Sequence, residues 1–139
     1  MLLEGFSKIA IDYPDWKVVF AGNGEIERAK QIAEKLGILS QVEFLGWISG
    51  IRKETIFQES SIYCLASDGE GFPMGVLDAW AYGIPCVVTP VGGIPDIIED
   101  GINGLIFPVG DSDRLAVQLN KLMNDKELGK AIVAESDKY

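Results

Sequence analysis

Short apolar runs alternate with longer amphipathic stretches along this chain. Runs rich in β-branched, aromatic and other apolar residues predict strands at 16–21, 42–45, 62–66, 85–89 and 105–107. Between and around them, apolar residues at helical spacing predict helices at 2–9, 25–36, 51–60, 73–82, 94–99 and 111–123. Because strands and helices alternate throughout, we expect an α/β fold in which a parallel sheet is flanked by helices on both faces.

A strand, a glycine-rich turn and a helix follow one another between Ile62 and Tyr82. Gly69 and Gly71 make the turn flexible, and Pro73 stands at the first helical position, where its missing N–H is not needed. A helix N-terminus carries unpaired N–H groups and a partial positive charge. This segment therefore suits an anionic ligand such as a phosphate.

Two carboxylates, Glu70 and Asp78, frame that helix start. At about 1.5 Å per helical residue their spacing approaches ~10 Å, which is too far to share one proton. The spacing suits a long polar ligand such as a nucleotide sugar, which carries hydroxyls at both ends and a pyrophosphate between them. Taken alone, each acid also fits a solvated surface carboxylate; the buried face of the helix would then be Val76, Leu77, Trp80 and Ala81.

The composition excludes several classes of function. The 139 residues, 47% of them hydrophobic, suffice for one domain with its own core. The net charge of −9 is dispersed and offers no basic stripe for a nucleic acid. The chain contains no histidine, which removes the usual general base and most zinc sites.

The cysteines and the lack of long apolar runs indicate the cellular compartment of the protein. Cys64 and Cys86 lie in predicted strands and are expected to be buried, reduced thiols. No apolar run reaches the length of a membrane span, and Met1 to Ala10 lacks the pattern of a signal peptide. A cytoplasmic setting is therefore expected.

The spacing of Glu70 and Asp78 resembles the Glu-x7-Glu signature of the GT-B fold glycosyltransferases, in particular the group 1, or GT4-like, retaining family. The sequence segments around it, at 70–73, 77–88 and 92–105, are similar to those of the same family. The resemblance covers nearly the whole chain. It implies the Rossmann-like, C-terminal, donor-binding domain of a two-domain enzyme of polysaccharide biosynthesis. Such an enzyme transfers a hexosyl group from a nucleoside-diphosphate sugar to an acceptor with retention, and uses no metal or other cofactor.

The resemblance also implies roles for individual residues. Glu70 corresponds to the catalytic glutamate that meets the hydroxyls of the transferred sugar. Asp78 corresponds to the second glutamate, which holds the ribose hydroxyls, and is one methylene shorter. The other donor-binding residues are expected at three junctions between a strand and a helix, namely Gly22, Gly24, Gly71, Phe72, Met74, Gly75, Gly92 and Gly93.

Two features of the resembled family are absent from this sequence: a strand before the first helix, and an arginine and a lysine that follow it and hold the pyrophosphate. We therefore expect residues 1–139 to be a fragment that transfers nothing alone and that meets the acceptor through an N-terminal domain. The longer protein is expected to be cytoplasmic, with a peripheral membrane association. The absent strand is central in the family's sheet, so its loss predicts a closed gap, exposed sheet edges, or a strand borrowed in a homodimer.

Two alternatives from other classes remain open. A non-catalytic nucleotide-sugar-binding or regulatory module would keep the fold without needing Glu70. A dinucleotide-binding Rossmann domain would use Gly22 and Gly24, but Glu27 stands where the glycine fingerprint needs its third glycine. The Asp-x-Asp sequence at 111–113 is similar to a metal-binding motif, yet its place before a helix predicts an N-cap instead.

Overall fold

The computed structural model describes residues 2–21, 26–46, 50–65 and 74–136. The strands are β1 (Val18–Ala21), β2 (Val42–Gly46), β3 (Tyr63–Leu65), β4 (Cys86–Val88) and β5 (Leu105–Ile106). The helices are α1 (Leu2–Ser7), α2 (Ile26–Lys35), α3 (Gly50–Glu59), α4 (Met74–Ala81), α5 (Ile94–Ile97), α6 (Ser112–Asn124) and α7 (Lys126–Ser136). Within these ranges, no helix is both long and apolar enough to cross a bilayer.

The strands pair in parallel, as expected. β1 pairs with β2, and β4 lies between β3 and β5 in a second sheet. Parallel neighbours need a crossover connection, which α2 supplies between β1 and β2 and α4 supplies between β3 and β4. The predicted element bounds agree with the observed ones to within two residues at each described end, the usual uncertainty of helix and strand ends.

The sheet is interrupted between β1 and β3. Among the described residues these two strands do not pair with each other, so each presents one unpaired edge. Val18 of β1 nevertheless belongs to the same hydrophobic cluster as Val87 of β4, which shows that the two sheets share a core. Of the outcomes expected for an absent central strand, the described residues therefore show unpaired edges, not a closed gap.

Both faces of the central strand β4 are buried. Its residues alternate between two hydrophobic clusters, as the period of a strand requires. Val87 faces one cluster together with Phe6, Phe107, Leu115, Leu119 and Leu122. Cys86 and Val88 face the other cluster together with Val76, Ala79, Trp80 and Ile94. Helices thus cover both faces, as a buried parallel sheet demands.

Helix α1 packs closely on α6. A β-carbon on Gly5 would come within 2.7 Å of Leu115 Cδ2, so the missing side chain of this glycine allows the approach. Leu115, Leu119 and Leu122 are buried, which confirms the predicted apolar stripe of α6.

Helix α7 was not among the predicted helices. It begins after Asp125, whose Oδ1 accepts hydrogen bonds from the N–H groups of Glu127 and Leu128, both at 3.1 Å. Its apolar side buries Ile132 within the main cluster, and Leu128 packs against that cluster. The signal in the sequence is an aspartate at the cap position, followed by Leu128 and Ile132 four residues apart.

Candidate functional site

Five of the predicted site residues lie within the described part of the chain. Met74, Gly75 and Asp78 belong to α4, and Gly92 and Gly93 precede α5. The other predicted residues lie outside the described residues, and their roles stay predictions: Glu70, Gly71, Phe72, Gly22 and Gly24.

Helices α4 and α5 begin at the same edge of the sheet. Each follows the carboxyl end of a strand, β3 for α4 and β4 for α5, and these two strands are parallel neighbours. Ligands of open α/β sheets bind outside the carboxyl ends of the strands. In the loop that leads to α5, Gly92 has a φ of +57°, a left-handed conformation that favours glycine.

Asp78 lies on the side of α4 that faces α3. Its Oδ2 is 3.4 Å from the Nζ of Lys53, and the side chains of Asp78 and Lys53 are 40% and 49% exposed. Farther along both helices, the rings of Phe57 and Tyr82 stack with their centroids 5.4 Å apart. Lys53 precedes Phe57 along α3, and Asp78 precedes Tyr82 along the chain of α4. Since the two earlier residues contact each other and the two later ones do as well, α3 and α4 run side by side in the same direction. The ion pair therefore lies nearer to the helix starts than the aromatic pair.

An open cleft of about 240 Å³ lies between α3 and α4. Its lining combines charged side chains with aromatic rings: Gly50, Lys53, Glu54, Phe57, Asp78 and Tyr82. Gly50 begins α3 with a φ of +59°, a second left-handed position that favours glycine. Carboxylate oxygens accept hydrogen bonds from hydroxyl groups, so Glu54 and Asp78 give this cleft the chemistry to hold a small polyhydroxylated ring.

The buried face of α4 differs from the predicted one. Val76 and Trp80 are buried as predicted, and Ala79 joins them. Leu77 and Ala81 are exposed, so their assignment to this face was wrong. Residues three and four apart share a helix face, which places Ala79 and Trp80 beside Val76 and leaves Asp78 on the flank. Tyr82, which follows α4, is partly exposed and stacks on Phe57.

The N-cap predicted for the Asp-x-Asp sequence at 111–113 is confirmed. Asp111 Oδ1 accepts a hydrogen bond from the backbone N–H of Arg114 at 2.8 Å, the geometry of an N-cap on α6. No group of three or more histidine, cysteine or acidic side chains in the described part of the chain is arranged to hold a metal ion.

Cys64 and Cys86 are free thiols in the parallel sheet. Burial raises the pKa of each to about 12, and for Cys86 the neighbouring Cys64 adds to the effect. A thiol reacts as its thiolate, so neither cysteine is suited to nucleophilic chemistry near neutral pH. Both thiols are free; Cys86 is buried as expected, whereas Cys64 is only partly buried.

We expect both thiols to resist iodoacetamide in the folded protein at pH 8 and to react when urea unfolds it. Their pKa is raised above the unfolded value of about 8.5, so they favour the folded state below that pH. This contribution is lost as the pH rises towards 12. Between pH 8 and pH 10, the urea concentration at the midpoint of unfolding should fall less in Cys86→Ala than in the wild type. Native thiols that react as fast as unfolded ones would contradict this account.

A family model described as glycosyl transferases group 1 matches residues 1–139. The N-acetyl-alpha-D-glucosaminyl L-malate synthase of Bacillus anthracis is 34% identical over 128 residues, which cover 91% of this chain and 33% of that protein. The C-terminal domain of a group 1 glycosyl transferase, LpcC, from Francisella tularensis has a TM-score of 0.85 at 26% identity, covering 98% of this chain and 73% of that one. HepE of Anabaena, solved in complex with UDP and glucose, has a TM-score of 0.88 at 22% identity, covering 99% and 38%.

The chain has the fold of the C-terminal domain of GT-B glycosyltransferases, which confirms the predicted Rossmann-like α/β class. It belongs to the group 1 glycosyl transferases. It spans a third of the length of the Bacillus anthracis relative.

Proposed function

We propose that this chain is the donor-binding domain of a glycosyltransferase that moves a hexosyl group from a nucleoside-diphosphate sugar to an acceptor, with retention of configuration. The observation that carries this proposal is the position of Asp78. Its carboxylate lines a cleft between α3 and α4, and α4 begins at the edge of the sheet where ligands of open α/β sheets bind. The HepE structure, solved with UDP and glucose, supports a nucleotide-sugar donor.

In this proposal the cleft between α3 and α4 takes the ribose. The carboxylate of Asp78 accepts hydrogen bonds from the ribose hydroxyls, and hydrogen bonds to a carboxylate are stronger than bonds between neutral groups. The rings of Phe57 and Tyr82 close the cleft behind the sugar. A volume of about 240 Å³ is enough for a five-membered ring with its hydroxyls and accompanying water.

The diphosphate would lie at the helix starts. Backbone N–H groups of Gly71, Phe72, Met74 and Gly75, together with the positive end of α4, would stabilise the negative charge that develops on the departing diphosphate. Gly22 and Gly24 after β1, and Gly92 and Gly93 after β4, would let the backbone approach the same ligand closely. Glu70 would contact the transferred sugar. This assignment needs no metal and no other cofactor.

The acceptor would bind to a second, N-terminal domain, so we propose that this chain alone transfers no sugar. We also propose a cytoplasmic enzyme with peripheral membrane association, no nucleic-acid partner, and homodimer formation as one way to cover the unpaired edges of β1 and β3.

Thermal unfolding with a panel of ligands tests the proposal. The panel contains UDP, GDP, ADP, their glucose or mannose conjugates, and NAD. A ligand at a hundred times its dissociation constant stabilises the folded state by about 2.7 kcal/mol, which raises the Tm of a domain of this size by several degrees. We expect a shift with one nucleoside diphosphate and its sugar conjugate. A shift with NAD alone would contradict the proposal and favour the dinucleotide-binding alternative, and no shift at all would also count against donor binding.

A further inference from the structure

Lys53 is held at the rim of the cleft by two different contacts. Its Nζ lies 3.4 Å from Asp78 Oδ2 and, at the same time, 5.9 Å from the centroid of the Phe57 ring. The first contact is an ion pair and the second is a cation–π interaction. A lysine side chain that is half exposed otherwise samples many rotamers. These two contacts give its ammonium group a defined position beside the cleft.

A stack of three aromatic rings supports this position. Phe57 lies between Tyr63 and Tyr82, with centroid distances of 6.3 and 5.4 Å and interplanar angles of 19° and 17°. Offset stacked rings prefer defined separations, so the stack fixes the spacing between α3 and α4. The same packing of α3 beside α4 brings Lys53 Nζ within 3.4 Å of Asp78 Oδ2.

We propose that Lys53 is a positioning residue for nucleotide binding, which acts by orienting the Asp78 carboxylate towards the ribose. This inference rests on the proposed function and adds to it a residue on a different helix from Asp78. The ammonium of Lys53 holds Oδ2, and the other oxygen, Oδ1, then has a set direction for a ribose hydroxyl. The entropy of ordering the carboxylate is lost before the ligand arrives, so binding is tighter.

A merely structural ion pair would behave differently. Ion pairs between exposed side chains contribute little to stability. If the pair of Lys53 and Asp78 only tied α3 to α4, its loss would affect the binding of every ligand of the cleft equally. A positioning role acts through the hydroxyls alone. Nucleotides with and without ribose hydroxyls therefore separate the two explanations.

The variants are Lys53→Met, which removes the charge and keeps the length of the side chain, and Lys53→Arg, which keeps the charge. Lys30→Met is the matched control. Lys30 is also half exposed, is paired with Glu27 and lies 5.8 Å from the centroid of the Phe44 ring, but it lies on α2, away from Asp78. Calorimetric titration with UDP, GDP, ADP and their 2′,3′-dideoxy analogues gives the affinity of each variant.

We expect Lys53→Met to weaken binding of the preferred ribonucleotide about three- to fivefold more than binding of its dideoxy analogue. Lys53→Arg should keep most of the preference for the ribonucleotide, and Lys30→Met should match the wild type. Equal losses for both nucleotides, or no loss, would overturn the role of Lys53 while the wild-type binding upheld the proposed function. A wild type that binds none of the nucleotides would overturn the proposed function and this inference together.

Discussion

Replacing Phe107 with alanine is expected to lower the free energy of unfolding by about 3–5 kcal/mol, the cost of deleting a fully buried aromatic ring. Phe107 follows β5, is fully buried, and belongs to the cluster that joins the two sheets to α1 and α6. Its backbone N–H donates a hydrogen bond to the carbonyl oxygen of Val88 at 3.0 Å, so the backbone cannot easily move to fill the cavity. Natural domains are stable by only about 5–15 kcal/mol, so this loss is a large part of the total.

Urea unfolding followed by circular dichroism measures this effect. Ile51→Ala is the control, because Ile51 is 81% exposed and its truncation should change the free energy of unfolding by no more than about 0.5 kcal/mol. If both variants lost similar amounts, Phe107 would not lie in a tightly packed core, and the described packing around β4 and β5 would be wrong.

Replacing Asp78 with alanine is expected to weaken nucleoside-diphosphate binding about ten- to a hundredfold. Hydrogen bonds to a charged group contribute about 1.5–3 kcal/mol, and each 1.4 kcal/mol is a factor of ten in affinity. The substitution also leaves Lys53 without the carboxylate that it contacts at 3.4 Å. The side chain is partly exposed, so the fold should tolerate its loss.

Calorimetric titration of the nucleotide that stabilises the wild type most measures this change. Asp113→Ala is the matched control: Asp113 also pairs with a lysine, Lys8, at 2.6 Å, but it lies on α6. Melting without ligand shows whether either variant has lost stability. An affinity unchanged in Asp78→Ala would remove the main support for a ribose site in the cleft between α3 and α4.

The order of strands and helices was predictable because each element carries its own local pattern. The stripe of α6 and the cap at Asp111 were both predicted and are both observed. Helix α7 was overlooked, although Asp125 and the pair Leu128 and Ile132 mark it in the sequence. Local capping chemistry and periodicity thus account for the elements that the described residues contain.

The face of α4 could not be predicted from periodicity alone. Its sequence is apolar on nearly every side, so the choice between Leu77 and Ala79 for the core depends on how the helix lies against β3 and β4. The buried face of α4 depends on contacts between residues distant in sequence, which the pattern within the helix does not show.

The role of Lys53 was likewise invisible in the sequence. Lys53 is 25 positions from Asp78, and only the packing of α3 against α4 brings the two side chains together. The spacing of Lys53 and Phe57, four residues apart on one helix face, is a local signal that these two side chains interact. It does not reveal what lies opposite them.

In the proposed function, a nucleoside-diphosphate sugar binds at the carboxyl edge of the sheet, beside α3 and α4 and at the start of α5. A titration of the isotopically labelled chain with that ligand, followed by the shifts of backbone amide signals, tests it most directly. We expect the largest shifts on Lys53 to Phe57, on Met74 to Asp78 and on Gly92 to Ile94. Shifts concentrated on α6 and α7, or none at ligand concentrations that saturate other donor-binding domains, would contradict it.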